Sequence, residues 1–359
     1  MLQKNLKFKT SIIILMLTVP PIVALLCFAL TDHQSKNIKI YLEREFLLAR
    51  LARNLNSYLN IYLLKHNQIG PVHLGKNNWL FTNYAHEESF HQMAGHLNLK
   101  GLESWSGYID SGCPNPYDKT LPYYFGLIPN KETLYPEFTS FKLRTYFFKR
   151  PSVLEQVTNL ATVRCPKTFV NIYAGLHVEK KHKLYHATDS HWNPHGALIA
   201  FNTLAPSIGK KKLEMNFSQS STTEGLDNWL LIKPSALFLE ETYREYNRVA
   251  LDSTLTKGKD SCWSFHPGDD VSRIYKNTDQ TKVGYVMLIG DSFRSEIAKY
   301  FACSYQTTVV LKRSEDKRNY EQAIAEYGRP DLIVELFIQR YMDQAYKKSQ
   351  YSGSNLVFR

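Results

Sequence analysis

Acid is in short supply in this chain. Asp and Glu number 33 against 44 Lys and Arg in 359 residues, which leaves a formal charge of +11. A surplus of that size favours acidic partners: an anionic polysaccharide, an anionic lipid surface or nucleic acid. Nucleic acid is the weakest of the three, because the sequence has neither zinc-finger spacing nor aromatic–basic repeats. Cysteine is also sparse, five in all, and no Cys-x-x-Cys spacing suggests zinc. Internal repeats and low-complexity tracts are absent, which argues against a repeat array. Core-forming residues are not lacking. A hydrophobic content of 43% with 13% aromatics excludes general disorder, and the length accommodates one large domain or two ordinary ones.

A long uncharged apolar run occurs near the start, from Ser11 to Leu30, preceded by Lys4, Lys7 and Lys9. Roughly twenty such residues suffice to span a bilayer. Ala29 with Cys27 makes a poor cleavage site, and Leu26 before Cys27 fits a lipoprotein cut badly. Pro20-Pro21 would kink the helix, which membrane spans tolerate. The expectation is a cytoplasmic N-terminus over residues 1–10 and an uncleaved transmembrane anchor over 11–30, with the remainder outside the cytoplasm. Cys27 then lies in the span. Cys113, Cys165, Cys262 and Cys303 fall in an oxidising compartment, where three pairings are open and unpaired buried thiols are the alternative.

After the span, Leu48, Leu51, Leu55, Tyr58 and Tyr62 recur at helical spacing, so a helix is expected over 41–65 within a linker of residues 31–69. Gly70-Pro71 ends it, and a single domain is expected over 70–350. Short apolar runs at Tyr123–Ile128, Thr168–Ala174, Tyr285–Ile289, Thr307–Lys312 and Leu332–Phe337 read as buried strands, with a helix at Asn319–Tyr327. The alternation argues for an α/β fold, a mostly parallel sheet with helices on both faces. Residues 210–282 lose this pattern and read as an insertion bordering the site.

Two segments carry chemistry. The run Tyr285–Ile289 enters Gly290-Asp291-Ser292-Phe293, and Arg294 to Phe301 looks helical. A serine on a sharp strand-to-helix turn is lifted clear of the sheet, with backbone N–H groups near enough to face an oxyanion. About a hundred residues earlier, Asp189-Ser190-His191-Trp192-Asn193-Pro194-His195-Gly196 places a carboxylate two residues from an imidazole. In an extended loop such neighbours converge on one hydroxyl, the Asp orienting the His and the His taking the proton. Ser292, His191 and Asp189 are therefore the expected catalytic residues of a hydrolase or acyltransferase. Asp291 reads as a turn or capping residue. A zinc reading of His186, Asp189, His191 and His195 is weakened because Asn193 is a good N-cap and Pro194 a good first helical residue, which leaves His191 outside the helix. His195 then reads as structural. Trp192 is either core filler or a wall against the triad. Lys180, Lys181, Lys183, Lys210, Lys211 and Lys212 flank the loop, as solvated surface or as contacts for an acidic polymer.

The ordered set of these motifs resembles the alginate O-acetyltransferase family of periplasmic SGNH-hydrolase-like proteins. Further pieces of the resemblance are Gly75-Lys76-Asn77-Asn78-Trp79-Leu80-Phe81, Ile128-Pro129-Asn130-Lys131-Glu132-Thr133-Leu134-Tyr135-Pro136, and Pro330-Asp331-Leu332-Ile333-Val334-Glu335 with Arg340. The pieces span about Gly70 to Tyr341. Family patterns often have glycine within the Lys76–Asn78 segment, and this chain does not. The resemblance implies an SGNH-like fold in permuted order, since Asp and His precede Ser. It also implies Ser292 as nucleophile, His191 as general base and Asp189 as its orienter. The implied activity is acetylation of an exported exopolysaccharide in the periplasm, without a cofactor, by a protein held to the inner membrane through one helix. A membrane-bound O-acyltransferase would deliver the acetyl groups. Trp192, Arg294, Arg340, Lys180, Lys181 and Lys183 are the expected contacts to the polymer. Deacetylation by the same three residues, or a scaffold role in a polysaccharide export complex, are the alternatives.

Overall fold

The computed structural model describes residues 64, 68–69, 72–82, 99–139, 151–187, 189–214, 217–218, 250–251, 262–267, 272–313 and 318–342. The span expected at 11–30 lies outside the described residues, as does nearly all of the helix expected at 41–65. Among the described residues no helix is long and apolar enough to cross a membrane.

Three short strands, β1 (Gln68–Ile69), β2 (Val72–Leu74) and β3 (Leu80–Thr82), form a small antiparallel sheet. The turn between β2 and β3 needs one left-handed residue, and Asn77 takes it at φ 52°. Asn tolerates that conformation because its short polar side chain can bond locally, so the absence of glycine in this segment costs little.

The central sheet gathers β4 (Tyr123–Ile128) and β5 (Phe169–Val170) with strands from the C-terminal part of the chain. Between them in sequence, β6 (Phe217–Ser218) and β7 (Ala250–Leu251) make a separate two-stranded ribbon. The remaining strands are β8 (Trp263–Pro267), β9 (Ser272–Asn277), β10 (Tyr285–Gly290), β11 (Thr307–Lys312) and β12 (Leu332–Ile338), and the order is β5-β4-β12-β10-β11-β9-β8. The first five strands of that order run parallel, and β9 and β8 are antiparallel. The fold is thus mixed α/β with a mostly parallel sheet. Residues 210–282, expected as an insertion, end instead in two strands of the sheet itself, because Trp263 and Tyr275 pack on each other and on the core. Cys262 is bonded to Cys303 and Cys113 to Cys165, which selects one of the three open pairings.

Seven α-helices are described: α1 (Leu99–Asp110), α2 (Lys131–Leu134), α3 (Val153–Arg164), α4 (Ile172–Glu179), α5 (Pro194–Leu204), α6 (Arg294–Ala302) and α7 (Arg318–Tyr327). Alternate residues of β10 point to opposite faces, as strand geometry requires. Val286 and Leu288 join the core under α4, α5 and α6, whereas Met287 and Ile289 join the core under α1, α3 and α7. The strand expected over Thr168–Ala174 stops at Val170. Asn171 accepts a hydrogen bond from the Ala174 N–H and starts α4, a capping signal stronger than the apolar run around it.

This topology creates the place for a site. From β10 the chain crosses through α6 to β11 on one side, then returns through α7 to β12 on the other. The two crossovers lie on opposite faces of the sheet. A crevice opens at the C-terminal end of a strand where such connections diverge, and Ser292 follows the end of β10 there.

Candidate active site

The turn after β10 closes on itself. Asp291 accepts from the Phe293 N–H through Oδ1 at 3.0 Å, and its Oδ2 accepts from the Ile338 N–H at 3.0 Å. Its carboxylate is consumed in fixing the turn against β12, the role expected for it. Arg294 reaches back to donate to the carbonyls of Gly290 at 3.3 Å and Asp291 at 2.6 Å. Burial lowers its pKa, with Asp291 opposing. Arg294 thereby braces the turn. Phe293 is buried while Ser292 is exposed, so the hydroxyl stands out of the sheet edge.

The facing loop has a different construction. Tyr185 and Trp192 form an antiparallel bridge at its base, and His186 N–H donates to the His191 carbonyl at 3.2 Å. Asn193 caps α5 by accepting from the Gly196 N–H, with Pro194 at the first helical position, as the sequence predicts. Gly196 is required because a Cβ there would lie 2.2 Å from the Leu184 carbonyl oxygen. His191 thus lies before the helix and His195 within its first turn. The His195 ring rests 5.4 Å from that of His182.

Within the loop, Asp189 Oδ1 accepts from the His191 backbone N–H at 2.8 Å and lies 2.6 Å from His191 Nδ1. A carboxylate only accepts, so Nδ1 carries the proton and Nε2 presents its lone pair. That Nε2 lies 2.6 Å from Ser292 Oγ, across 101 positions of sequence. The structure therefore brings Asp189, His191 and Ser292 into one hydrogen-bonded line. Burial pushes the Asp189 carboxyl up, but hydrogen bonds and charge from His191 outweigh it and hold the group well below the usual carboxylate range. Burial pushes His186 down to about 4, so near neutral pH it adds no cation beside Asp189.

Around this line, Phe293 lies 4.8 Å from the His191 ring and 5.3 Å from the Trp192 ring. Trp192 is buried and donates through Nε1 to the Phe293 carbonyl, joining the two halves of the site from beneath. Trp192 is thus a core residue that joins the loop to the serine turn. Arg340 is buried, with its guanidinium carbon 5.4 Å over the Phe293 ring and Nη2 3.4 Å from Ser190 Oγ, so it spans loop and turn. The lysines gather at the base of the loop. Lys180 pairs with Glu137 at 3.6 Å, Lys181 is exposed, and Lys183 takes the left-handed backbone that ends the short helix Lys180–His182.

Sequence reasoning missed the support of the loop. Lys131 is fully buried and donates to the carbonyls of His186 at 3.0 Å, Ala187 at 2.9 Å and Asp189 at 2.7 Å. Its ammonium also lies 5.3 Å from the Trp79 ring and 5.1 Å from the Phe81 ring. Leu80 N–H donates to the same Ala187 carbonyl at 2.8 Å. Gln339 accepts from the Asn130 N–H and the Thr133 hydroxyl, which ties the end of β4 to that of β12. No adjacent residue signals this role, since Lys131 stands between polar Asn130 and charged Glu132 and reads as surface.

No protein-family model and no curated protein matches the chain. Among solved structures it is similar to Bacillus cereus PatB1 with a sulfonyl adduct, at 12% identity over 76% of this chain and 94% of that one, with a TM-score of 0.47. A DHHW family protein from Eubacterium siraeum is 13% identical over 78% of this chain and 98% of its own, TM-score 0.46. The O-acetyltransferase domain of Pseudomonas putida AlgJ is 18% identical over 79% of this chain and 99% of its own, TM-score 0.44. Likenesses of this size leave reaction and substrate to the geometry of the site.

Proposed function

We propose that the protein is an O-acetyltransferase that adds acetyl groups to hydroxyls of an exported polysaccharide through an acetyl-enzyme on Ser292. The observation that carries this reading is the continuous Asp189–His191–Ser292 line, with 2.6 Å at each side of the imidazole. His191 Nε2 takes the Ser292 proton as Oγ attacks the acetyl carbonyl of a donor ester, and returns it to the departing donor oxygen. A sugar hydroxyl then gives its proton to His191 and attacks the acetyl-serine, which restores the Ser292 hydroxyl. Asp189 keeps the ring in the tautomer that accepts from Ser292 and stabilises the imidazolium formed on the way. A backbone N–H of the strand-to-helix turn at Ser292 would meet the developing oxyanion.

The ordered motifs from Gly75 to Arg340 support acetyl transfer to a polysaccharide over general ester chemistry. The apolar run at 11–30 supports a membrane anchor with the site on the periplasmic face, and a membrane-bound O-acyltransferase as the acetyl donor. The exposure of Ser292 leaves water as a competing acceptor, which would make the protein a deacetylase. An assay with an acetyl ester donor and oligosaccharide acceptors separates the two. Acetylated sugar formed at the expense of free acetate supports transfer, and free acetate alone, with every acceptor untouched, overturns it.

A further inference from the structure

A lysine without solvent access is costly, because burial strips water from its charge. Lys131 has an arrangement that offsets this cost. An ammonium has three N–H donors and no acceptor, and here each donor meets one backbone carbonyl, those of His186, Ala187 and Asp189. Three carbonyl oxygens repel one another unless a cation sits among them. All three belong to the loop that presents Asp189 and His191. Among the described residues, the backbone bonds internal to that loop lie at its base, in the Tyr185–Trp192 bridge and the His186–His191 bond.

We propose that Lys131 is a positioning residue, whose charged ammonium gathers these carbonyls and so holds the Asp189 carboxylate and His191 ring at hydrogen-bonding distance from Ser292. The inference rests on the proposed function only for the reaction that the positioning serves. The groups facing Lys131 come from several elements: Glu132 beside it on α2, His186 and Asp189 from the loop, Arg340 after β12, and the Trp79 and Phe81 rings from the small sheet. Burial pushes the ammonium down to about 7, Glu132 and Asp189 push it up, and Arg340 pushes it further down. Burial also raises the Glu132 carboxyl, against backbone hydrogen bonding, Arg340 and Lys131. As pH rises above neutrality, Lys131 loses a proton, one N–H becomes a lone pair facing a carbonyl, and the loop loosens. Activity then declines on the alkaline side. Arginine keeps its charge throughout that range.

The test uses the full chain with p-nitrophenyl acetate as donor, and variants Lys131→Met and Lys131→Arg. In Lys131→Met the expected loss in kcat is about a hundredfold, the cost of a displaced catalytic group. Its KM should stay within about threefold, since the acetyl group is not bound by Lys131. Lys131→Arg should keep a larger share of kcat and lose the alkaline decline. Wild-type kcat in the Met variant overturns the proposal, as does an alkaline decline unchanged in the Arg variant, or equal losses in both variants with one pH profile. Where the variants fold poorly, wild-type NMR decides: the His191 ring carbon shift should register a step above neutrality as Lys131 loses its proton, and its absence overturns the proposal. Should the wild type neither turn over the ester nor become acylated, the proposed function fails, and the NMR titration still decides on Lys131.

Discussion

The two halves of the site are built by opposite strategies. The turn that carries Ser292 is closed mostly by its own neighbours: Asp291 caps Phe293, Arg294 clasps the carbonyls of Gly290 and Asp291, and the Ile338 N–H and Trp192 indole add bonds from elsewhere in the chain. The loop that carries Asp189 and His191 is held by groups distant in sequence. Lys131 lies 58 positions from Asp189, Tyr185 donates its hydroxyl to the Pro129 carbonyl, and Trp79 stacks on Phe138 beneath the assembly. A serine held mostly by its own turn is rigid at little expense. A base set by remote contacts is only as well placed as the packing beneath it.

The largest effects should come where the halves meet. Ser292→Ala should lower acetyl transfer by about ten-thousandfold or more while leaving the melt unchanged, because the exposed hydroxyl contributes little packing. His191→Ala should fall in the same range. Asp189→Asn should lose as much or less, since it orients and does not react, and a loss exceeding that of Ser292→Ala would contradict its assigned role.

A second comparison separates local from remote support. Trp79→Ala removes a ring packed on Tyr135 and Phe138, and should cost about 3–5 kcal/mol of stability in urea titration, as buried aromatic truncations do. Activity of the protein that remains folded should also fall, because Trp79 packs against the Lys131 ammonium that holds the loop. Unchanged turnover per folded molecule would mean that the loop does not depend on this packing.

Acid should weaken the loop side specifically. The folded pKa of His186 is pushed down to about 4, below the ordinary value of 6.5, so on acidification the unfolded chain takes up the proton first. Stability contributed by neutral His186 is therefore present above pH 6.5 and lost as pH falls toward 4, by about 3 kcal/mol in total. His186→Phe should flatten that slope in denaturant titrations across the window. An identical slope in the variant would assign the acid sensitivity elsewhere.

The smallest effect concerns the basic surplus. Replacing Lys180, Lys181 and Lys183 by Gln should weaken capture of an anionic polymer by a few-fold, an effect that fades with salt, and leave turnover of a small neutral ester unchanged. Equal losses on both substrates would mean that these lysines support the fold, as the Lys180–Glu137 pair already does in part.

How much the sequence disclosed follows the same division. Tyr123–Ile128, Thr307–Lys312 and the turn at Gly290 were legible because apolar strands and strand-to-helix turns are signalled by adjacent residues. The cap at Asn193 was legible for the same reason. Lys131 was not, since a lysine reads as surface until the three carbonyls around it are placed by the fold. The end of β5 at Val170 is hidden in the sequence because the Asn171 cap sits inside an apolar run that reads as strand throughout. β8 and β9 were missed because antiparallel strands at the end of a sheet lack the continuous hydrophobic signature of the buried parallel ones. The disulfide partners were fixed only by tertiary placement, Cys113 near the end of α3 and Cys262 near the end of α6.

The central claim is that Ser292 carries the acetyl group, and mass spectrometry of the protein quenched during turnover of an acetyl ester tests it most directly. The account predicts an acetylated peptide containing Ser292 in the wild type, accumulating in the absence of a sugar acceptor, discharged when acceptor is added, and missing from Ser292→Ala. Turnover at the wild-type rate with Ser292 unmodified, or acetylation at another residue that persists in Ser292→Ala, would contradict it.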